Sequence, residues 1–292
     1  MSYIDLHLHL LPGVDDGPAD HAEALEYATA LVGAGVREAT VTPHVAHARF
    51  PLDVASIPKR TAALQAELDG AGLKLRLHPG GEIHPAGALD LYHRDLQHIA
   101  HGPRTGRWVL LEVPFGGISR LFMDACEHVR DEGHGIVIAH PERASGLLDG
   151  GIDRIRAQMS AGAVLQVSVC SLLGRHGEEA RAAAHHLVLT GMAYVVASDG
   201  HGGSRGHTLA DGLRPIRAAG ASAIQAWQLT RANPAFLLRH GIPSEPQRGL
   251  AAALQERRPR SANFAACSGD VSASRPARPS SASALPRPPR VI

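Results

Sequence analysis

Imidazole and carboxylate side chains recur in this sequence at one kind of place, the C-terminal end of a short apolar run. The first run, Asp5-Leu6-His7-Leu8-His9, sets two histidines two residues apart. Alternate residues of a strand share a face, so Asp5, His7 and His9 point one way while Leu6 and Leu8 enter apolar packing. Both rings can then reach one cation, although a His-x-His pair is weakly specific by itself. The segment that follows, Pro12-Gly13-Val14-Asp15-Asp16-Gly17, is acidic and bounded by proline and glycine. It reads either as a plain Asp-Gly turn or as a carboxylate held beside the pair. With two histidines directly upstream the second reading is preferred, with Asp16 ahead of Asp15.

The pattern repeats down the chain. The second run ends in Thr42-Pro43-His44, the third in Gly80-Gly81-Glu82, and the fourth in Leu111-Glu112. The fifth ends in His140-Pro141-Glu142-Arg143 and the seventh in Ser198-Asp199-Gly200-His201. Only the sixth, ending Val169-Cys170-Ser171, lacks such a residue. Carboxylates as deeply embedded in apolar sequence as Glu82 and Glu112 need a partner, because an unpaired buried charge is costly. The candidate ligands are His7, His9, Asp16, His44, Glu82, Glu112, His140, Asp199 and His201. That many N and O donors suit two or three divalent ions sharing a bridging carboxylate, and a mixed imidazole and carboxylate set suits manganese, iron or zinc. Three divalent ions would outweigh the four carboxylates and leave a net-positive site, which attracts an anionic substrate and delivers hydroxide near neutral pH. Arg143 and Arg205 lie just past ligand positions. There a guanidinium can grip phosphate oxygens in bidentate fashion, with an ordinary surface ion pair as the plainer alternative.

The elements that must position these residues follow from the same runs. Strands are expected at Tyr3–His9, Glu38–Pro43, Lys74–Gly80, Trp108–Val113, Gly135–His140, Ala163–Val169 and Ala193–Ser198. Helical patterns separate most of them: Ala22–Ala34, Ile57–Leu68, Leu121–Glu132, Ile152–Ser160, Glu178–Thr190 and Leu209–Ala219, each stopping at or near a glycine suited to a left-handed helix end. Further helix is expected over Ala221–Arg231 and Pro234–His240. Strand then helix, seven times in residues 1–245, predicts one α/β domain whose parallel sheet closes into a barrel. The C-terminal strand ends of such a barrel converge on one face, where active sites are built. From residue 246 to 292 the chain turns to Ser, Ala, Pro and Arg without periodic apolar positions. It is expected to be a disordered tail, apart from a turn or two of helix over Leu250–Arg258.

In this order the motifs His-x-His, Pro-Gly-Val-Asp-Asp-Gly, Thr-Pro-His, Gly-x-Glu-Ile, Glu-x-Pro, Ala-His-Pro-Glu-Arg and Ser-Asp-x-His resemble the polymerase and histidinol phosphatase superfamily. Within it they are most similar to the bacterial metal-dependent tyrosine-protein phosphatases of capsule and exopolysaccharide clusters. The resemblance covers residues 1–245 and implies a distorted (β/α)7 barrel with a trinuclear site, manganese being the first choice of metal. It implies that His7, His9, Glu82 and Asp199 hold one ion, that Glu82 bridges to a second held by Glu112 and His140, and that Asp16, His44 and His201 hold the third. Arg143 would bind and polarise the phosphate. Arg205 would be the second arginine, although the loop after His201 is one residue shorter than the family pattern. The implied substrate is a phosphotyrosine-bearing protein, the tail of a bacterial tyrosine autokinase.

Other classes of function fit less well. A net charge of +1 offers no global attraction to nucleic acid or an anionic membrane. Three widely spaced cysteines make no disulfide framework, and the chain opens without a signal-peptide pattern, so a cytoplasmic setting is expected. No apolar run reaches the roughly 18 residues of a transmembrane helix. A thiol phosphatase needs five residues between its cysteine and arginine, whereas Cys170 and Arg175 are separated by four. Two alternatives stay open: a small-molecule phosphatase of the histidinol-phosphate type, and a non-catalytic metal-binding module. The second is disfavoured because every expected ligand position is filled.

Overall fold

The computed structural model describes residues 2–243. The tail expected over residues 246–292, with its helical turn at Leu250–Arg258, lies outside the described residues. The apolar runs form β1 (Tyr3–Leu8), β2 (Val36–Val41), β3 (His44–Val45), β4 (Arg76–Pro79), β5 (Glu82–Ile83), β6 (Trp108–Glu112), β7 (Gly135–Ala139), β8 (Val164–Ser168) and β9 (Ala193–Ala197). Every pairing is parallel, in the orders β1-β2-β4 and β3-β5-β6-β7-β8-β9. Strands β2 and β3 are halves of one strand, as are β4 and β5, so seven composite strands form the ring. It closes where Leu8 pairs with Gly200. There His9 N donates to Gly200 O at 2.9 Å and Asp199 N to His7 O at 3.0 Å. The result is the expected distorted (β/α)7 barrel.

Sequence reading ends the second and third strands at Pro43 and Gly80, and in the structure β2 and β4 stop close by, at Val41 and Pro79, with a further short stretch of pairing beyond each in β3 and β5. Both are interrupted, at Thr42-Pro43 and at Gly80-Gly81. Pro43 has no N–H to give to a ladder. At Gly80 a Cβ would meet His101 Nε2 at 2.5 Å, and at Gly81 it would meet Val45 Cγ1 at 3.0 Å. Pairing resumes beyond the breaks with His44 directly beside Glu82. The interruption thus sets two chemistry-bearing residues side by side.

Helices cover the outside: α1 (His21–Gly33), α2 (Ile57–Gly70), α3 (Pro85–Ala88), α4 (His93–Leu96), α5 (Arg120–Asp131), α6 (Ile152–Ser160), α7 (Val169–Leu172), α8 (Glu178–Leu189), α9 (Leu209–Ala218), α10 (Ala223–Trp227) and α11 (Asn233–His240). The expected glycine stops carry positive φ at Gly35, Gly133, Gly162, Gly191 and Gly220, whereas α2 runs on past its expected end and stops before Gly72. The helix expected over Ala221–Arg231 is shorter, giving way to a wide π-turn over Gln228–Ala232 that leads into α11 with Pro234 in its first turn. Pro234 lacks the N–H that regular continuation would use.

Two apolar clusters hold the layers together. The larger joins the outer strand faces to the helices, through residues such as Val109, Leu111, Ile136 and Ile138 packed with Leu31, Phe122 and Leu187. The smaller contains Ile4, Leu6, Trp108, Leu110, Val137, Ala139 and Val195 with Leu237 of α11. Leu110 and Glu112 share a strand face, so this cluster underlies the polar centre. Trp108 Nε1 donates to Leu237 O at 3.0 Å, tying α11 to the cluster.

His101 packs its buried ring on Trp108 with centroids 4.7 Å apart. Burial, with lesser repulsion from His78 and Arg107, pushes its pKa down to about 3. The folded state therefore holds His101 neutral where the unfolded chain takes up a proton. Its contribution is complete above the free imidazole value of about 6.5 and is lost as pH falls below that, at up to about 1.4 kcal/mol per pH unit. In thermal unfolding from pH 7 to 4, His101→Leu is expected to lose stability less steeply than the parent chain. Parallel slopes would show that His101 contributes nothing to acid sensitivity.

Candidate metal centre

Strand ends deliver the side chains. His7 lies on β1 and His9 one residue beyond it; His44 opens β3, Glu82 opens β5 and Glu112 ends β6. His140 follows β7, while Asp199 and His201 follow β9. The structure brings all nine candidates together on this face. His140 and Asp199 adopt positive φ, 32° and 51°, although neither is glycine. Such backbone costs of order 1–3 kcal/mol and is kept where surrounding structure imposes it. Gly200 between Asp199 and His201 is obligatory for space, because a Cβ there would overlap the Tyr27 hydroxyl, which donates to His207 O at 2.6 Å.

Glu82 is the hub. Its Oε2 lies 3.3 Å from His7 Nε2, 3.3 Å from His9 Nε2 and 3.1 Å from His44 Nδ1. Its Oε1 lies 2.7 Å from His140 Nε2. Asp199 Oδ1 is 3.4 Å from His7 Nε2. Asp16 Oδ1 faces His201 Nε2 at 3.3 Å and His44 Nε2 at 3.5 Å. Four overlapping groups have donor atoms within 4.8 Å of one another: His9, Asp16, His44 and His201; His7, His9 and Glu82; His7, His140 and Asp199; and His44, Glu82 and Glu112. His9 thus belongs with the Asp16 group as well as with His7.

A second layer fixes the rings. Gln166 Oε1 accepts from His140 N at 3.2 Å, so it is an acceptor, and His7 Nδ1 donates to it at 3.0 Å. Asp15 Oδ2 takes His9 Nδ1 at 2.7 Å and His44 N at 3.0 Å. His201 Nδ1 donates to Asp199 O at 2.9 Å. Each partner occupies Nδ1 and leaves the Nε2 lone pair aimed inward. The Nε2 atoms of His7 and His9 consequently face each other at 3.2 Å.

The charges make the same demand. Burial opposes ionisation of Glu82, yet His7 and His44 hold its carboxyl well below the usual range. Burial also opposes ionisation of Asp199, and His7 and His140 hold it low. Burial disfavours a charged His7, but Glu82 and Asp199 raise it to about 9. Burial likewise resists charge on His9, and Asp15 and Glu82 draw it well up. Two imidazolium Nε2–H groups cannot point at each other across 3.2 Å, whereas a cation between them satisfies the carboxylates and both lone pairs. Glu112, pushed up to about 8 by burial and by the Glu82 charge, likewise gains from positive charge at the centre. The donor set therefore fits divalent metal.

Both arginines reach the rim. Arg143 Nη1 binds Asp199 Oδ2 at 3.1 Å, and its guanidinium lies 4.1 Å over the Phe115 ring. Arg205 Nη1 binds Asp16 Oδ2 at 3.1 Å and is about half exposed. Sequence reading assigned no role to several residues that the structure places here. Gln166 orients two backbone and ring groups; its signal was a lone polar residue in the apolar run Val164-Leu165-Gln166-Val167. Asp5, buried and raised to about 6 by burial, accepts from Ser198 N at 3.0 Å and so joins β1 to the segment after β9. Glu142, buried and raised to about 7, accepts from Ser168 N at 2.8 Å. Asp15, ranked behind Asp16 as a ligand, sits behind His9.

Fold and site together define a parallel α/β barrel with a buried imidazole and carboxylate cation centre at the C-terminal strand ends. A model of the family described as "Capsular polysaccharide synthesis, CpsB/CapC" matches residues 3–239, and the chain belongs to this family. It is 30% identical over 200 residues to tyrosine-protein phosphatase YwqE of Bacillus subtilis, covering 68% of this chain and 77% of that one. It is 27% identical over 200 residues to the putative tyrosine-protein phosphatase CapC of Staphylococcus aureus, covering 68% and 76%. Among solved structures, one from a study of YwqE and of CpsB from Streptococcus pneumoniae, described as unique metal-dependent tyrosine phosphatases, superposes with a TM-score of 0.70 and 26% identity. It covers 83% of this chain and 97% of its own. The phosphotriesterase homology protein of Escherichia coli superposes at 0.51 with 14% identity, covering 80% and 97%, which is a likeness of fold.

Replacing Gln166 by Leu removes the acceptor that sets the His7 tautomer. Metal affinity, read by titration calorimetry, is expected to fall about 10–100-fold with the fold retained. Unchanged affinity would show that His7 is oriented without it.

Proposed function

We propose that this chain is a metal-dependent protein-tyrosine phosphatase, a phosphoric monoester hydrolase. Its centre takes two to three divalent ions, manganese first and iron or zinc as the alternatives. The observation that carries the reading is the convergence of His7 and His9 Nε2 on Glu82 Oε2 in a buried, carboxylate-rich setting. The names of its relatives and the family description support phosphotyrosine as substrate.

In this reading His7, His9, Glu82 and Asp199 hold one ion, Glu82 with Glu112 and His140 a second, and Asp16, His44 and His201 the third. Divalent ions held there supply Lewis acidity toward the phosphoryl oxygens and a nucleophile at neutral pH. Gln166, Asp15 and the Asp199 carbonyl keep the imidazoles in the ligating tautomer. Arg143, fixed by Asp199 on one side and by the Phe115 ring on its face, offers its remaining N–H groups to the phosphate and to the charge that develops during transfer. Arg205, tethered to Asp16, is the second arginine for the phosphate. A tyrosine phenolate is a fairly good leaving group, so a strong general acid is not essential.

The proposed partner is a phosphotyrosine-bearing protein, a bacterial tyrosine kinase in capsule or exopolysaccharide synthesis. Among the described residues no helix is long and apolar enough to cross a membrane. A cytoplasmic setting is supported by Cys126 and Cys170, both buried as free thiols.

Purified protein is expected to carry two to three metal ions per chain by elemental analysis and to hydrolyse a phosphotyrosine peptide. Chelator should abolish turnover and Mn²⁺ restore it. A folded sample that binds none of Mn²⁺, Fe²⁺ or Zn²⁺ would overturn the reading. Arg143→Ala is expected to lower kcat/KM on the same peptide by about 10²–10³-fold while metal content is kept, as loss of one preorganised donor does elsewhere. Retained kcat/KM in that variant would remove Arg143 from the site.

A further inference from the structure

Phe115 is an unusual residue to leave uncovered. The chain has only five phenylalanines, and this one is 49% exposed. It follows β6 in the segment Val113-Pro114-Phe115, on the face where Glu112 meets the centre. Its backbone is fixed, since Phe115 O accepts from Ser145 N at 2.9 Å across from the segment after β7. One side of the ring carries the Arg143 guanidinium at 4.1 Å, and the ring centroid lies 6.1 Å from that of His140. Phe50, on the opposite side, is already matched: it stacks on His44 at 5.2 Å with planes 5° apart and lies under Arg49.

The Arg143 guanidinium lies over the Phe115 ring and gives Nη1 to Asp199, which leaves its other N–H groups for phosphate oxygens. A phosphate monoester held by Arg143 then has its ester oxygen close to the edge of Phe115. In phosphotyrosine the next group beyond that oxygen is an aromatic ring; in phosphoserine or a sugar phosphate it is a solvated alkyl carbon. Offset or edge-to-face aromatic contact rewards the first and gives the second nothing. Resting on the phosphatase reading above, we infer that Phe115 is the platform for the aryl ring of the substrate and selects aryl over alkyl phosphate monoesters at this centre.

A ring that only braced Arg143 would act on every phosphate alike, which gives the test. The manganese-loaded full chain is titrated by calorimetry with phenylphosphonate and with methylphosphonate, neither of which is turned over. Wild type is expected to prefer the phenyl compound. Phe115→Leu is expected to lose about fivefold of that preference, roughly 1 kcal/mol at 1.4 kcal/mol per tenfold, and Phe115→Tyr to keep it. Equal weakening of both compounds in Phe115→Leu, or no change in their ratio, overturns the inference. Parallel assays on phosphotyrosine and phosphoserine peptides separate the two levels. Wild type that hydrolyses phosphotyrosine with a phenyl preference indifferent to position 115 overturns the inference alone. Wild type that hydrolyses phosphate monoesters but never phosphotyrosine overturns the proposed function and the aryl platform with it.

Discussion

At the top of the barrel, three imidazole nitrogens crowd within 3.3 Å of one carboxylate oxygen, Glu82 Oε2, and two of them face each other at 3.2 Å. Two neutral rings would oppose their lone pairs there and two imidazolium rings would oppose their protons, so at most one shared proton fits between them. Negative charge from the buried Glu82, Asp199 and Asp15 surrounds it, with the more exposed Asp16 at its edge. Divalent metal, which accepts several lone pairs at once and brings positive charge to the carboxylates, satisfies both demands together. Unpaired, the same set would cost several kcal/mol of buried charge.

Much of the architecture serves that constraint. Composite strands β2/β3 and β4/β5 are broken by Pro43 and by Gly80-Gly81, and pairing resumes with His44 beside Glu82. The ring closes through His7 and Asp199, so two donors are also the staves that complete the barrel. Positive φ at His140 and Asp199 turns the chain sharply just after β7 and β9. The apolar cluster of Leu6, Leu110, Val137 and Ala139 beneath supplies the rigid floor against which these costs are set.

The second layer separates a binding centre from a collection of polar residues. Gln166 Oε1 and Asp15 Oδ2 each take one backbone N–H and one imidazole Nδ1. This double use fixes their own orientation and the tautomer of the ring together. Arg143 is likewise held twice, by Asp199 in its plane and by Phe115 on its face. Side chains fixed in this way have little freedom to lose when a ligand arrives.

The alternation of strand and helix, the convergence of strand ends and the nine candidate donors were legible in the order of residues alone. Period-two apolar runs and glycine stops are local signals, and a parallel barrel leaves one place for strand ends to meet. His44 and Glu82 could be recognised as donors because they followed apolar runs, but their direct pairing could not, since it is made between two strands 38 residues apart in the chain. Gln166, Asp5 and Glu142 acquire their roles only from partners distant in sequence or on another strand, as Gln166 does from His7, 159 residues away. The placement of Phe115 beneath Arg143 is of the same kind. Tautomers, strain and stacking are set by which atoms approach in three dimensions, and a sequence records the residues without recording their approach.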